Sequence, residues 1–246
     1  MSKKYLLKGD KLQCRVLPVT RVGQNCSVVW CLETARAAIV DPGGETDHLL
    51  RLIDEERVDV ERILITHPHP DHAGAAAELA RRLQVPIEGP NRADASLLDG
   101  MMQLARDLGF YECSPFAPQR WLEDQDEVRV GRQTLLALHC PGHTAGHMAY
   151  FSPQARIAFV GDILFRGAIG ATANPFAHLE LLRSIRRKLF PLGDDVQFVP
   201  GHDRVSTFGE ERKNNHAVAD AAAKKYEHLF DDPRFARQFS INEVAI

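Results

Sequence analysis

The 246-residue chain carries 30 Lys and Arg against 33 Asp and Glu, a formal net charge of −3, with 44% hydrophobic and 26% charged residues. That is an ordinary balance for a soluble globular protein with one main α/β domain, and it offers no basic excess to grip nucleic acid. No apolar run approaches the roughly 20 residues that span a bilayer, and residues 1–10 are polar and lysine-bearing, with no signal-peptide core.

The five cysteines, Cys14, Cys26, Cys31, Cys113 and Cys140, are few, odd in number and scattered. They argue against a disulfide framework and for a reducing, cytoplasmic setting. A small-molecule substrate is therefore expected, with neither nucleic acid nor membrane as partner; nothing in the sequence indicates an oligomeric state. Asn25-Cys26-Ser27 fits a glycosylation pattern, but its place at the edge of an apolar strand makes that match a coincidence.

In chain order, apolar runs predict strands over residues 14–18, 27–32, 37–40, 62–66, 133–139, 148–151, 157–160 and 196–199. Helical periodicity appears over 46–56, 74–83, 95–108, 178–189 and 212–230. Two strand-rich halves, each closed by helices, predict an αββα sandwich, two β-sheets face to face with helices outside. The expected division is a main domain over 1–212 and a C-terminal helical tail over 213–246. That tail would pack on the same domain, or alternatively wall a substrate pocket or a dimer contact, and Asp231-Asp232-Pro233 would stop its helix.

Polar punctuation follows the strands. Asp41-Pro42-Gly43-Gly44, His67-Pro68-His69-Pro70-Asp71-His72, Cys140-Pro141-Gly142-His143, Gly161-Asp162 and Pro200-Gly201-His202 each sit at a strand end. Loops held by rigid strands are where binding and catalytic groups concentrate. The 67–72 segment places four metal-ligand side chains within six residues, directly after a buried strand and before a helix N-terminus. A solvated polar loop is the alternative for any lone histidine; four donors in one turn are poorly explained that way. His143, Asp162 and His202 are each weak alone and gain meaning beside that cluster. The His143/His147 spacing suggests a zinc finger, but no Cys-x2-Cys pair completes one. A serine hydrolase is disfavoured because no Gly-x-Ser-x-Gly occurs.

The pattern His67-x-His69-x-Asp71-His72, followed by His143, Asp162 and His202, resembles the metallo-β-lactamase superfamily in its glyoxalase II (hydroxyacylglutathione hydrolase) branch. Residues 140–147, Gly161-Asp162-Ile163-Leu164-Phe165 and Pro200-Gly201-His202 resemble the same branch. Asn25-Cys26-Ser27, Asp41-Pro42-Gly43-Gly44 and residues 206–212 resemble its short subgroup, which lacks the full C-terminal helical domain. The resemblance covers about residues 12–212 and implies two mixed sheets in the αββα sandwich. It implies that His67, His69 and His143 bind one divalent metal, that Asp71, His72 and His202 bind a second, and that Asp162 bridges. Zinc suits these N/O donors, as do iron and manganese. Cys140 is expected in the core rather than at a metal.

Two close metals share a water and lower its pKa to about 7, so the expected reaction is hydrolysis of a thioester or related acyl substrate by a metal-bridged hydroxide. Asp71 is the expected catalytic residue, orienting the hydroxide and accepting its proton. Asp41 and His147 are candidates to orient ligand imidazoles; a plain turn and a structural histidine are their alternatives. Tyr150, Trp30 and Trp121 are read as core.

Three other readings compete. The first is a mononuclear iron persulfide dioxygenase using His67, His143 and Asp162; His147, where that branch tends to have Cys, and residues 206–212 favour the hydrolase instead. The second is a hydrolase of another ester or lactone. The third is a non-enzymatic metal-binding protein, disfavoured because a purely structural zinc site usually needs four ligands and no water. In the glyoxalase II branch a basic residue matching Ala171 helps grip glutathione, and a Tyr matching Ala173 helps in the longer enzymes. Both are alanine here, which implies poor use of glutathione thioesters. Arg166 is the candidate to compensate in substrate binding, with a solvated surface charge as its alternative.

Overall fold

The computed structural model describes residues 5–232. One sheet contains β1 (Tyr5–Lys8), β2 (Leu12–Val19), β3 (Gln24–Cys31), β4 (Arg36–Val40), β5 (Asp59–Leu64) and β6 (Ile87–Glu88), in that order. The second contains β7 (Glu127–Val130), β8 (Gln133–His139), β9 (Met148–Ser152), β10 (Ile157–Gly161), β13 (Gln197–Pro200) and β14 (Ser206–Thr207), ordered β14-β13-β10-β9-β8-β7. A two-stranded hairpin, β11 (Leu164–Phe165) and β12 (Ala168–Ile169), follows β10. Both sheets are mixed: β4–β5, β5–β6 and β10–β13 are parallel and the other pairs antiparallel.

The inner strands explain why the sequence shows continuous apolar runs rather than alternation. Each buries both faces, one against the opposing sheet and one against helices. In β4, Ala38 and Val40 enter the core between the sheets, while Ala37 and Ile39 pack outward with Leu49, Leu52 and Leu79. In β9 and β10, Met148, Tyr150, Ile157 and Phe159 face inward, and Ala149, Phe151, Ala158 and Val160 pack outward with Leu181, Leu182 and Ile185. The outer layers are α1 (Thr46–Glu56), α2 (Pro70–Ala73), α3 (Ala76–Leu83) and α4 (Ala95–Leu108) on the first half, and α5 (Pro175–Ser184), α6 (Phe208–Asn214) and α7 (Asp220–Ala223) on the second. The expected αββα sandwich is the observed one.

Three helical expectations change. The helix expected over 74–83 runs over Ala76–Leu83 as α3, and a separate four-residue helix, α2, precedes it, with a turn at Gly74 and Ala75 between them. The 178–189 helix begins earlier, at Pro175, where the Asn174 side chain caps the Phe176 and Ala177 amides, and it passes into a π-helical turn at Ile185–Leu189. The 212–230 helix does not exist as one element. Asn215 leaves the helical conformation, its amide donates to Ala168 O and Glu211, and its Oδ1 accepts from Ala217 N. An Asn that satisfies backbone groups this way competes with helix continuation. The chain beyond it is α7 and a short 3-10 turn at Glu227–Leu229, packed on the second sheet through Val218 and Phe230. Residues 233–246, the remainder of the expected tail, lie outside the described residues.

The topology delivers chemistry to one rim. Asp41 follows β4, His67 to His72 follow β5, His143 follows β8, Asp162 follows β10 and His202 follows β13.

Candidate metal centre

All seven residues expected to bind metal come together at that rim. His67 Nε2 lies 2.9 Å from His69 Nδ1, and His69 Nδ1 lies 3.1 Å from His143 Nε2. His72 Nε2 lies 3.3 Å from Asp162 Oδ1 and 3.7 Å from Asp71 Oδ2. His202 Nε2 lies 3.1 Å from Asp71 Oδ2 and 3.8 Å from Asp162 Oδ2, and His143 Nε2 lies 3.7 Å from Asp162 Oδ2. Three donor trios have their ligand atoms within 4.8 Å of one another: His67/His69/His143, Asp71/His72/His202, and Asp41/His67/His72, in which Asp41 meets His72 at Nδ1. Asp162 touches members of the first two.

A divalent metal fits this chemistry. His72 Nε2 and Asp162 Oδ1 are both buried and lie 3.3 Å apart, and among the described residues neither has a hydrogen-bond partner; a protonated His72 would make them an ion pair, a neutral one leaves two facing Lewis bases. Buried polar groups left unsatisfied are costly and call for an explanation; a cation between facing Lewis bases supplies one.

Three of the imidazoles are held in their neutral form, and His72 is not. Burial and the surrounding imidazoles hold His67 well below the usual histidine range, and burial with His143 brings His69 down to about 4. Burial likewise lowers His143. These rings therefore offer neutral lone pairs. Burial works against charge on Asp162, but His72, His202 and His143 hold its carboxyl well below the usual carboxylate range. His72 moves upward despite burial, because Asp162 and Asp41 favour its charged form.

Neighbours fix the ring orientations. Asp41 Oδ2 lies 2.9 Å from His72 Nδ1, and the same carboxylate accepts from the Thr66 amide and hydroxyl at 2.7 and 2.6 Å. A carboxylate behind a histidine directs the opposite nitrogen, Nε2, toward the centre. Asp41 does this from a left-handed backbone, φ 53°. His143 Nδ1 donates to Ala171 O at 2.7 Å, which likewise leaves Nε2 as the free donor atom. His147 accepts from the Asp162 amide at Nε2 (3.1 Å) and donates from Nδ1 to Met148 O (3.0 Å), with its ring stacked on His67. Both of its nitrogens are engaged, so it supports the centre from behind. Two glycines permit the close packing: a Cβ on Gly43 would overlap Asp71 O, and one on Gly201 would overlap Asp162 Oδ1.

Arg166 is exposed at the hairpin between β11 and β12, and it does not line the cavity beside the centre. Cys140 is fully buried in the second-sheet core, and Tyr150 and Trp30 are core residues, with Tyr150 OH donating to Ile65 O at 2.7 Å; Trp121 packs partly buried against the first-sheet core. Several supporting residues were not among the expected site residues, although Asn25 and Glu211 lie in segments that carry the family resemblance. Asn25 donates to Pro200 O and Asp203 O and so anchors the His202 loop. Asp94, buried, accepts from Thr144 Oγ1 and Gly146 N, both at 2.7 Å, and pins the His143 loop. Glu211, 2% exposed, accepts from Gly167 N, Ser206 Oγ and Asn215 Nδ2, holding the β11–β12 hairpin that leads to Ala171.

A model of the metallo-β-lactamase superfamily matches residues 19–202. The chain belongs to this superfamily. Among its relatives there, hydroxyacylglutathione hydrolase GloC of Haemophilus influenzae is 38% identical over 206 residues, covering 83% of this chain and 97% of its own. TTHA1623, solved in a di-iron-bound form, is 33% identical with a TM-score of 0.72, covering 81% of this chain and 98% of its own. The BLEG-1 B3 metallo-β-lactamase is 27% identical with a TM-score of 0.76, covering 83% and 99%. The superfamily uses divalent metals and includes hydrolases of the glyoxalase II type. Among the described residues no helix is long and apolar enough to cross a membrane.

Proposed function

We propose that the protein is a metal-dependent thioester hydrolase of the glyoxalase II type. His67, His69 and His143 would hold one divalent cation, Asp71, His72 and His202 a second, and Asp162 would reach both. The observation that carries this reading is the convergence of five imidazoles and two carboxylates on one point, with His72 Nε2 and Asp162 Oδ1 buried, facing and, among the described residues, without a hydrogen-bond partner. A donor set of this kind, without thiolate, suits zinc, iron or manganese, and the likeness to GloC supports thioester chemistry.

Such a metal pair supplies Lewis acidity, which acidifies water and polarises a carbonyl. The protein's part is positional and protonic. Asp71 is half-buried and turns Oδ2 toward His202 and His72; its Oδ1 is the base assigned to take the proton of the attacking water. The water oxygen bonds to the acyl carbon and the C–S bond breaks. The departing thiolate then takes the proton held at Asp71. His72 cannot turn away during this cycle, because Asp41 holds its Nδ1.

The test is a panel of thioester, lactone, β-lactam and persulfide substrates, with metal content measured on the same sample. Thioester turnover that exceeds the others and is abolished by a chelator is the expected result. Persulfide-dependent O2 consumption without thioester hydrolysis would replace this reading with the oxygenase one.

A further inference from the structure

Beside the His67/His69/His143 trio lies a cavity of about 480 Å³, with His69 and His143 in its wall. A volume of this order suits one arm of a small-molecule substrate. Its wall is formed by the loop after β8, the start of α4 and the start of α5. Leu97, Ala173 and Phe176 give it apolar surface, and the lining contains no Lys or Arg.

Its charged groups other than the two histidines are Asp94 and Glu180, and they differ in kind. Both oxygens of Asp94 are committed to Thr144 and Gly146. Glu180 is part-buried on α5 and takes part in no hydrogen bond or ion pair among the described residues. Burial pushes its carboxyl up to about 7, against the pull of Arg183 one turn on along the helix. The α5 N-terminus also reaches this wall, but Asn174 Oδ1 already occupies the Phe176 and Ala177 amides at 3.0 Å each. Those two backbone amides are therefore not free to hold an anion.

Resting on the thioesterase reading, we propose that Glu180 is a specificity-determining residue that selects thioesters whose arm beside the metal centre is cationic and excludes those whose arm is anionic. A part-buried carboxylate attracts a cation and repels an anion within a few ångströms far more strongly than it would in open water, and such discrimination works as much by repulsion as by attraction. Glutathione, whose two carboxylates outnumber its one ammonium, is net anionic and falls on the excluded side.

Three acetyl thioesters with the same two-carbon spacer, assayed at about pH 8.5 where the Glu180 carboxyl is ionised, test this: acetylthiocholine (cationic), S-acetyl mercaptoethanol (neutral) and S-acetyl mercaptoethanesulfonate (anionic). The expected order of kcat/KM is cationic, neutral, anionic, with the outer pair separated by about tenfold or more. Glu180→Gln should collapse that ratio to within about twofold, and Glu180→Lys should invert it. The corresponding thioethers, which cannot be hydrolysed, give an independent reading by calorimetry: the cationic one should bind more tightly to wild type than to Glu180→Gln. An unchanged ratio in Glu180→Gln, or a wild-type preference for the anionic thioester, overturns the assignment while leaving the thioesterase reading intact. If no thioester turns over yet the cationic thioether still discriminates wild type from Glu180→Gln, the charge selection stands and the thioesterase reading falls. Equal binding of the cationic thioether to both proteins overturns the selection.

Discussion

His143 Nδ1 donates to the backbone carbonyl of Ala171 at 2.7 Å, although 28 residues separate them. A carbonyl only accepts, so the bond fixes the ring tautomer and leaves Nε2 toward His69 and Asp162. The Ala171 carbonyl is held in turn by the β11–β12 hairpin, and that hairpin by Glu211 and Asn215.

Replacing Glu211 should therefore act on both the fold and the centre. Glu211→Ala leaves the Gly167 amide, the Ser206 hydroxyl and the Asn215 amide without their buried acceptor, at about 2–4 kcal/mol of stability. Chemical denaturation checks this, and kcat should fall with it as the His143 support loosens. A destabilisation under about 0.5 kcal/mol would show that the buried carboxylate is not holding the hairpin.

Asp71→Ala should separate catalysis from folding. The side chain is partly exposed and contributes to the proposed second metal trio and to proton transfer. kcat should fall by about 100-fold or more, while stability of the metal-free protein changes by less than about 1 kcal/mol. Kinetics with metal content measured alongside decide it; activity within about threefold of wild type contradicts the assigned role.

Asp94 predicts a pH effect. Burial raises its carboxyl from 3.8 to about 6, despite the Thr144 and Gly146 hydrogen bonds. A group that holds its proton more tightly when folded favours the fold below its unfolded pKa, and that contribution is lost as pH rises through the folded pKa. Wild type should thus lose stability relative to Asp94→Asn between about pH 4 and pH 6, by about 2–3 kcal/mol. Denaturation of the two metal-free proteins across that window measures the difference, in which the contributions of the shared histidines cancel. A difference that does not vary with pH would mean that Asp94 is ionised throughout.

S-lactoylglutathione should be a poor substrate compared with simpler thioesters. Ala171 is exposed, and the lining of the adjoining cavity contains no Lys or Arg. A charge-assisted hydrogen bond to a carboxylate contributes roughly 1.5–3 kcal/mol, so Ala171→Arg should raise kcat/KM for S-lactoylglutathione by about tenfold or more. Wild-type turnover near the diffusional range with no gain in the variant would refute the argument from this loop.

The positions of the candidate ligands were legible because four donor residues in six positions have few structural uses, and because each later donor follows an apolar strand. The sandwich was legible because strands buried on both faces, such as β4 and β10, read as unbroken apolar runs. Two-residue strands like β6, β11 and β14 are too short to carry a pattern. The Ala171 carbonyl left no trace, since a backbone acceptor has no residue preference. Asn215 defeated the helix read over 212–230: apolar spacing continues through it, and only the tertiary fold shows its amide bonded to the β11–β12 hairpin. Nothing in the sequence singles out Glu180, whose place in the cavity wall depends on the packing of α5 beside the His143 loop.

The most direct test of the metal centre is a titration of metal-free protein with zinc, following thioester hydrolysis against bound metal per chain. The two donor trios joined by Asp162 predict activity that rises to a plateau at about two equivalents. Full activity in protein shown by elemental analysis to hold no metal would contradict it.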